Sequence, residues 1–170
     1  MPRVTSTDSL KLPAGVRDFT AHEFLLPSDL REFQVELAGR LVMHDEPGTE
    51  VKALREKYGF TQEFLSKLCD LRRESLSRIE SGAVGLSLPF VQRFVRIMTL
   101  ARGVREHLAY AESRGNAPDE RHVDMLAMTL RIEPEAREEI VLASMVSYER
   151  KRREALRALP AGGRGVRKGI

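Results

Sequence analysis

Residues 51–82 read Val51-Lys-Ala-Leu-Arg-Glu-Lys-Tyr-Gly-Phe60-Thr-Gln-Glu-Phe-Leu-Ser-Lys-Leu-Cys-Asp70-Leu-Arg-Arg-Glu-Ser-Leu-Ser-Arg-Ile-Glu80-Ser-Gly82. The pattern predicts two short helices, at about 61–68 and 72–81, separated by a tight turn. Neither is long enough to persist alone in water, so each must bury a face against the other and against flanking helices. Leu65, Leu68, Leu71, Leu76 and Ile79 are the candidates for that shared core. Arg73, Glu74, Ser77 and Arg78 lie at i, i+1, i+4 and i+5 and so share the outward side of the second helix. Such side chains hydrogen-bond base edges or phosphates. A solvated helix face would carry the same charges, and the pattern alone does not separate the two.

Working outward, helical spacing continues on both sides. Thr49 starts a helix that runs through Tyr58 and is ended by Gly59. Upstream, Leu30, Phe33, Leu37 and Leu41 recur at helical intervals from Ser28, which is placed to cap the first turn. That helix should stop near His44, before Glu46-Pro47-Gly48. Downstream, Gly82 and Gly85 frame a loop, and Ser87 caps a helix with Pro89 in its first turn. Its apolar stripe is Val91, Phe94, Val95 and Met98. A further helix is expected from about Gly103 to Ser113. After Gly115-Asn116-Ala117-Pro118, residues 119–130 read as helical. Residues 135–158 read as one long helix, acidic at Glu135, Glu138 and Glu139 and basic at Arg150 to Arg157, an order that suits the helix dipole. No stretch alternates as a strand does, so the fold class is all-α. The expected divisions are a flexible arm (1–20), an N-terminal helical extension (21–46), a core domain (47–114), a C-terminal helical region (115–160) and a basic flexible tail (161–170).

Composition agrees. With 42% hydrophobic and 31% charged residues the chain reads as an ordinary globular protein. Aromatics make up 6% and Trp is absent, which favours a Leu, Val, Ile, Ala and Met core of packed helices. One cysteine, Cys69, rules out an intramolecular disulfide. His22, His44, His107 and His122 are scattered, so no metal site or cofactor is expected. The N-terminus has no signal-peptide core and no window spans a bilayer, which predicts a cytoplasmic protein without membrane contact. Acidic pairs such as Asp45-Glu46 lack a partnering base, so an enzyme is not expected. The net charge of +3 is unevenly spread: −3 over residues 1–48, +4 over 49–110, −5 over 111–149 and +7 over 150–170. The two basic segments permit nucleic-acid binding without establishing it.

Leu54-Arg55, Gly59-Phe60-Thr61-Gln62, Leu65, Ser75 to Ser77, Ile79-Glu80 and Gly82 together resemble the Cro/C1-type helix-turn-helix family of phage repressors and xenobiotic-response-element (XRE) regulators. The resemblance covers about residues 49–101. It implies a lambda-repressor-like five-helix DNA-binding domain, here with N-terminal and C-terminal helical extensions. It implies that Gln62 bonds a phosphate, and that Arg73, Glu74, Ser77 and Arg78 read bases. Arg72 would approach the backbone or groove edge. Ser81, the loop to Gly85 and the start of the Ser87 helix would meet the second phosphate strand. Arg55 and Glu80 match a buried, structural ion pair. Two positions depart from the family: Ser66 stands where Ala is favoured, and Asp70 where Gly is usual. Asp tolerates the left-handed conformation better than most residues. Glu74 would either accept a bond from cytosine N4 or hold Arg73 or Arg78 in place.

The implied function is a sequence-specific transcriptional regulator bound to double-stranded DNA as a homodimer. An antitoxin-like protein that neutralises a protein partner through its flanking helices is the alternative, and a protein-interaction module without DNA is a third reading. The long helix, with Ile140, Val141, Ala143, Met145, Val146 and Tyr148, serves either intramolecular packing or dimerisation, and the helix at 28–44 is the other candidate interface. Cys69 reads as core packing ahead of redox sensing. Arg164, Arg167 and Lys168 would add phosphate contacts or serve only solubility.

Overall fold

The computed structural model describes residues 26–158. The arm at 1–20, His22 and the tail at 161–170 lie outside the described residues. Among the described residues there are seven helices and no strand: α1 (Ser28–Met43), α2 (Pro47–Tyr58), α3 (Gln62–Leu68), α4 (Arg73–Glu80), α5 (Leu88–Arg114), α6 (Glu120–Thr129) and α7 (Pro134–Ala158). The all-α expectation holds, and α2 to α5 form the helix-turn-helix core.

α5 is the spine of the fold. It packs against α1, α2, α6 and α7. α1 lays Leu30, Phe33, Leu37 and Leu41 against it, all buried, as their helical period requires. Val51, Leu54, Leu65, Leu76, Phe94 and Met98 join the same apolar core. Leu68 and Leu71 are only partly buried at its edge.

Three boundaries differ from the sequence reading. Ser28 does not cap α1: Pro27 holds the cap position and no side chain bonds the first turn. α2 begins at Pro47 rather than Thr49, because proline fits the first helical turn, where an N–H has no partner. The expected separate helix from Gly103 does not exist, because α5 runs unbroken for 27 residues. Gly103 sits inside it for packing. A Cβ there would lie 2.9 Å from a Leu126 methyl and 3.0 Å from a Leu30 methyl, so its absence lets α1 and α6 close on the spine. The five expected helices of the core are therefore four. Ser87 caps α5 as expected, accepting from the Phe90 N–H at 3.4 Å.

Candidate nucleic-acid interface

α4 has two faces of opposite character. Leu76, Ile79 and Glu80 are buried, whereas Arg73, Glu74, Ser77 and Arg78 are exposed together on the other side. Arg72, at the cap position, is exposed as well. Among the described residues no ion pair engages Arg72, Arg73, Glu74 or Arg78. Glu74 therefore clasps neither arginine, and all four side chains keep their donors and acceptors turned to solvent. Ser81 is exposed just beyond the helix, its hydroxyl donating to the Arg78 carbonyl at 3.1 Å.

The buried side fixes the angle of this helix. Arg55 Nε donates to Glu80 Oε1 at 2.6 Å and its NH2 donates to Oε2 at 3.0 Å. The same guanidinium reaches the Phe60 carbonyl at 3.0 Å. The Glu80 bond, working against burial, pushes the Arg55 pKa above the usual arginine value. Gln62 adds a third donor, its Nε2 meeting Glu80 Oε2 at 2.9 Å. So α2 and α3 converge on one carboxylate of α4, and the loop between them is tied to the same guanidinium. The resemblance implies both the Arg55–Glu80 pair and a phosphate for Gln62, whereas part of the Gln62 amide is already engaged here.

The turn between α3 and α4 is equally specific. Asp70 adopts φ 56°, the left-handed conformation that its side chain tolerates. This lets the Leu71 N–H reach back to the Ser66 carbonyl at 2.8 Å and close the end of α3. Ser66 is buried, and its small side chain suits a close approach of α3 and α4. At the start of α3, Thr61 accepts from the Phe64 N–H at 3.0 Å, a cap legible in hindsight from threonine opening the segment. Gly48 brings α2 against the far end of α4: a Cβ there would fall 2.0 Å from the Ile79 carbonyl oxygen. The loop from Ser81 to Gly85 and the first residues of α5 are exposed beside α4.

Other candidates resolve differently. Cys69 is buried, and burial pushes its thiol up to about 12. His107 and His122 are distant in sequence but stack at 4.7 Å between ring centroids, a pairing that no local pattern signals. Among the described residues no group of three or more metal-ligating side chains gathers.

Residues 48–108 match the model of a helix-turn-helix domain family. This chain carries a helix-turn-helix domain. Such domains lay the second helix of the helix-turn-helix motif in the major groove of DNA, and α4 holds that place in the motif here. The match stops inside α5, so α1, α6 and α7 lie outside it. No curated protein and no solved structure matches the chain. No helix among the described residues is long and apolar enough to cross a membrane.

Proposed function

We propose that this helix-turn-helix protein is a sequence-specific transcriptional regulator of the Cro/C1 type that binds DNA as a homodimer. One observation carries the reading. The exposed face of α4 presents Arg73, Glu74, Ser77 and Arg78 unpaired, while its opposite face is locked to the domain through Glu80. Arg73 and Arg78 have the geometry for guanine, Glu74 for the cytosine amino group and Ser77 for either partner. Arg72, Ser81 and the start of α5 would meet phosphates. Gln62 would do so with whatever its bond to Glu80 leaves free.

A dimer would set two α4 helices in successive major grooves about 34 Å apart. Exposed apolar side chains on two helices favour self-association: Val35, Val42 and Met43 on α1, and Leu142, Met145 and Val146 on α7. Selection of bound duplexes from a random pool, joined to light scattering, tests the reading. It predicts an enriched inverted repeat and a dimer. A pool with no enrichment would overturn it.

A further inference from the structure

Among the described residues, positive charge gathers near the end of α7 as well as on α4. α7 crosses the domain with Ile140, Ser144 and Ser147 turned inward. Near its start Glu139 holds Lys67, close to the end of α3, at 2.7 Å. Two turns later Ser147 and Arg150 sit over Gly59, the residue that closes α2. A Cβ on Gly59 would lie 2.6 Å from the Ser147 hydroxyl and 2.9 Å from an Arg150 guanidinium nitrogen. Lys67, near the end of α3, and Gly59, before its start, therefore both meet α7, Gly59 about two turns nearer its carboxyl end.

The helix then continues to Ala158, eight residues beyond Arg150, or about 12 Å at 1.5 Å per residue. Every residue of this overhang is exposed. Arg150, Arg153 and Arg157 recur at i, i+3 and i+7, so they line one side of it, the side that Arg150 turns towards Gly59. Arg152 is held by Glu112 at 2.6 Å, but among the described residues no carboxylate pairs with the other three. Arg105 and Lys151 crowd the same corner, both donating to the Lys57 carbonyl. Burial, then the charges of Arg105, Lys57 and Arg150, hold the Lys151 ammonium below the usual lysine range, with Glu154 opposing them. The carboxyl end of α2 offsets part of this charge. Beyond it, Glu149 and Glu154 flank the arginine strip, but among the described residues neither pairs with Arg150, Arg153 or Arg157.

A cationic strip whose arginines outnumber the carboxylates beside them and pair with none attracts a polyanion. We propose that the projecting end of α7, through Arg150, Arg153 and Arg157, grips the phosphate backbone of duplex DNA flanking the base pairs read by α4. This rests on the DNA-binding reading above. Contacts to phosphate position the protein and carry no sequence information, so the strip lengthens the footprint without changing base preference.

The test uses the full chain carrying Arg150→Gln, Arg153→Gln and Arg157→Gln together. Its binding to the selected duplex and to a random duplex of equal length is measured between 50 and 200 mM salt. Each lost contact lowers the slope of log K against log salt by about 0.9, so the triple variant should lose about 2.7 from it. Both duplexes should weaken alike. Trimming the selected duplex to the bases under α4 should erase the difference between variant and wild type. Arg121→Gln, at an exposed position of α6, should leave the slope as it was. A wild-type slope in the triple variant on the long duplex overturns the proposal while leaving the role of α4 intact. If wild-type protein binds no duplex in a salt-dependent way, the DNA-binding reading falls, and this proposal with it.

Discussion

Glu80 is where α4 is fastened to the domain. Its carboxylate is almost wholly withdrawn from water, with 3% of the side chain exposed, and is met by Arg55 and Gln62. A buried charge stripped of its partner is expensive, so Arg55→Ala should cost about 3–5 kcal/mol in denaturant unfolding. A loss below about 1 kcal/mol would mean that water screens the pair as it does at a surface. The exposed side of α4 should answer differently. Arg73→Ala should leave stability unchanged, relax base preference and weaken the selected site by about 1–3 kcal/mol. Cys69 makes a third test at this scale. Only a thiolate attacks a disulfide reagent, and burial keeps this group protonated far above neutrality. At pH 8 the native protein should react only as fast as it unfolds, and denatured protein at once. Prompt labelling of folded protein would restore the redox reading.

Elements show which parts of the molecule are legible in sequence. In the core, the ends of α2 and α3 and the start of α5 are readable from apolar periodicity and local signals, Gly59, Asp70 and Ser87. The Arg55–Glu80 pair came from the family resemblance and is present. What sequence did not disclose was set by distant neighbours. Gly103 resembles a helix break, yet its purpose depends on Leu30 and Leu126, each more than twenty residues away. The engagement of Gln62 by Glu80 and the seat of α7 over Gly59 are likewise long-range. These glycines yield contrasting expectations. Gly48→Ala drives a Cβ into the Ile79 backbone, which cannot swing aside, so it should destabilise by about 1–3 kcal/mol or more. Gly103→Ala meets only flexible leucine methyls, and the better helix propensity of Ala offsets up to about 1 kcal/mol of crowding. Thermal unfolding of the two variants should separate them clearly.

At the scale of the whole molecule, the domain that matches a known family is one part of a larger helical body. α1 and α7 are joined through the same spine, α5, whose exposed start lies beside α4. Light scattering of the intact chain should give twice the monomer mass if the exposed faces of α1 or α7 pair. Charged replacements, Val42→Glu on one face and Val146→Glu on the other, would identify which. The pairing helix should yield monomers with weakened operator binding, and the other should leave the mass unchanged.

The most direct measurement compares wild-type protein with the Arg73→Ala, Arg78→Ala double variant on the selected duplex and on a scrambled one. Intact folding of both proteins is checked by thermal unfolding. The account predicts that the variant binds the two duplexes almost equally, its preference lost while its salt-dependent grip on DNA persists. Undiminished preference in the double variant would show that bases are read by some other surface.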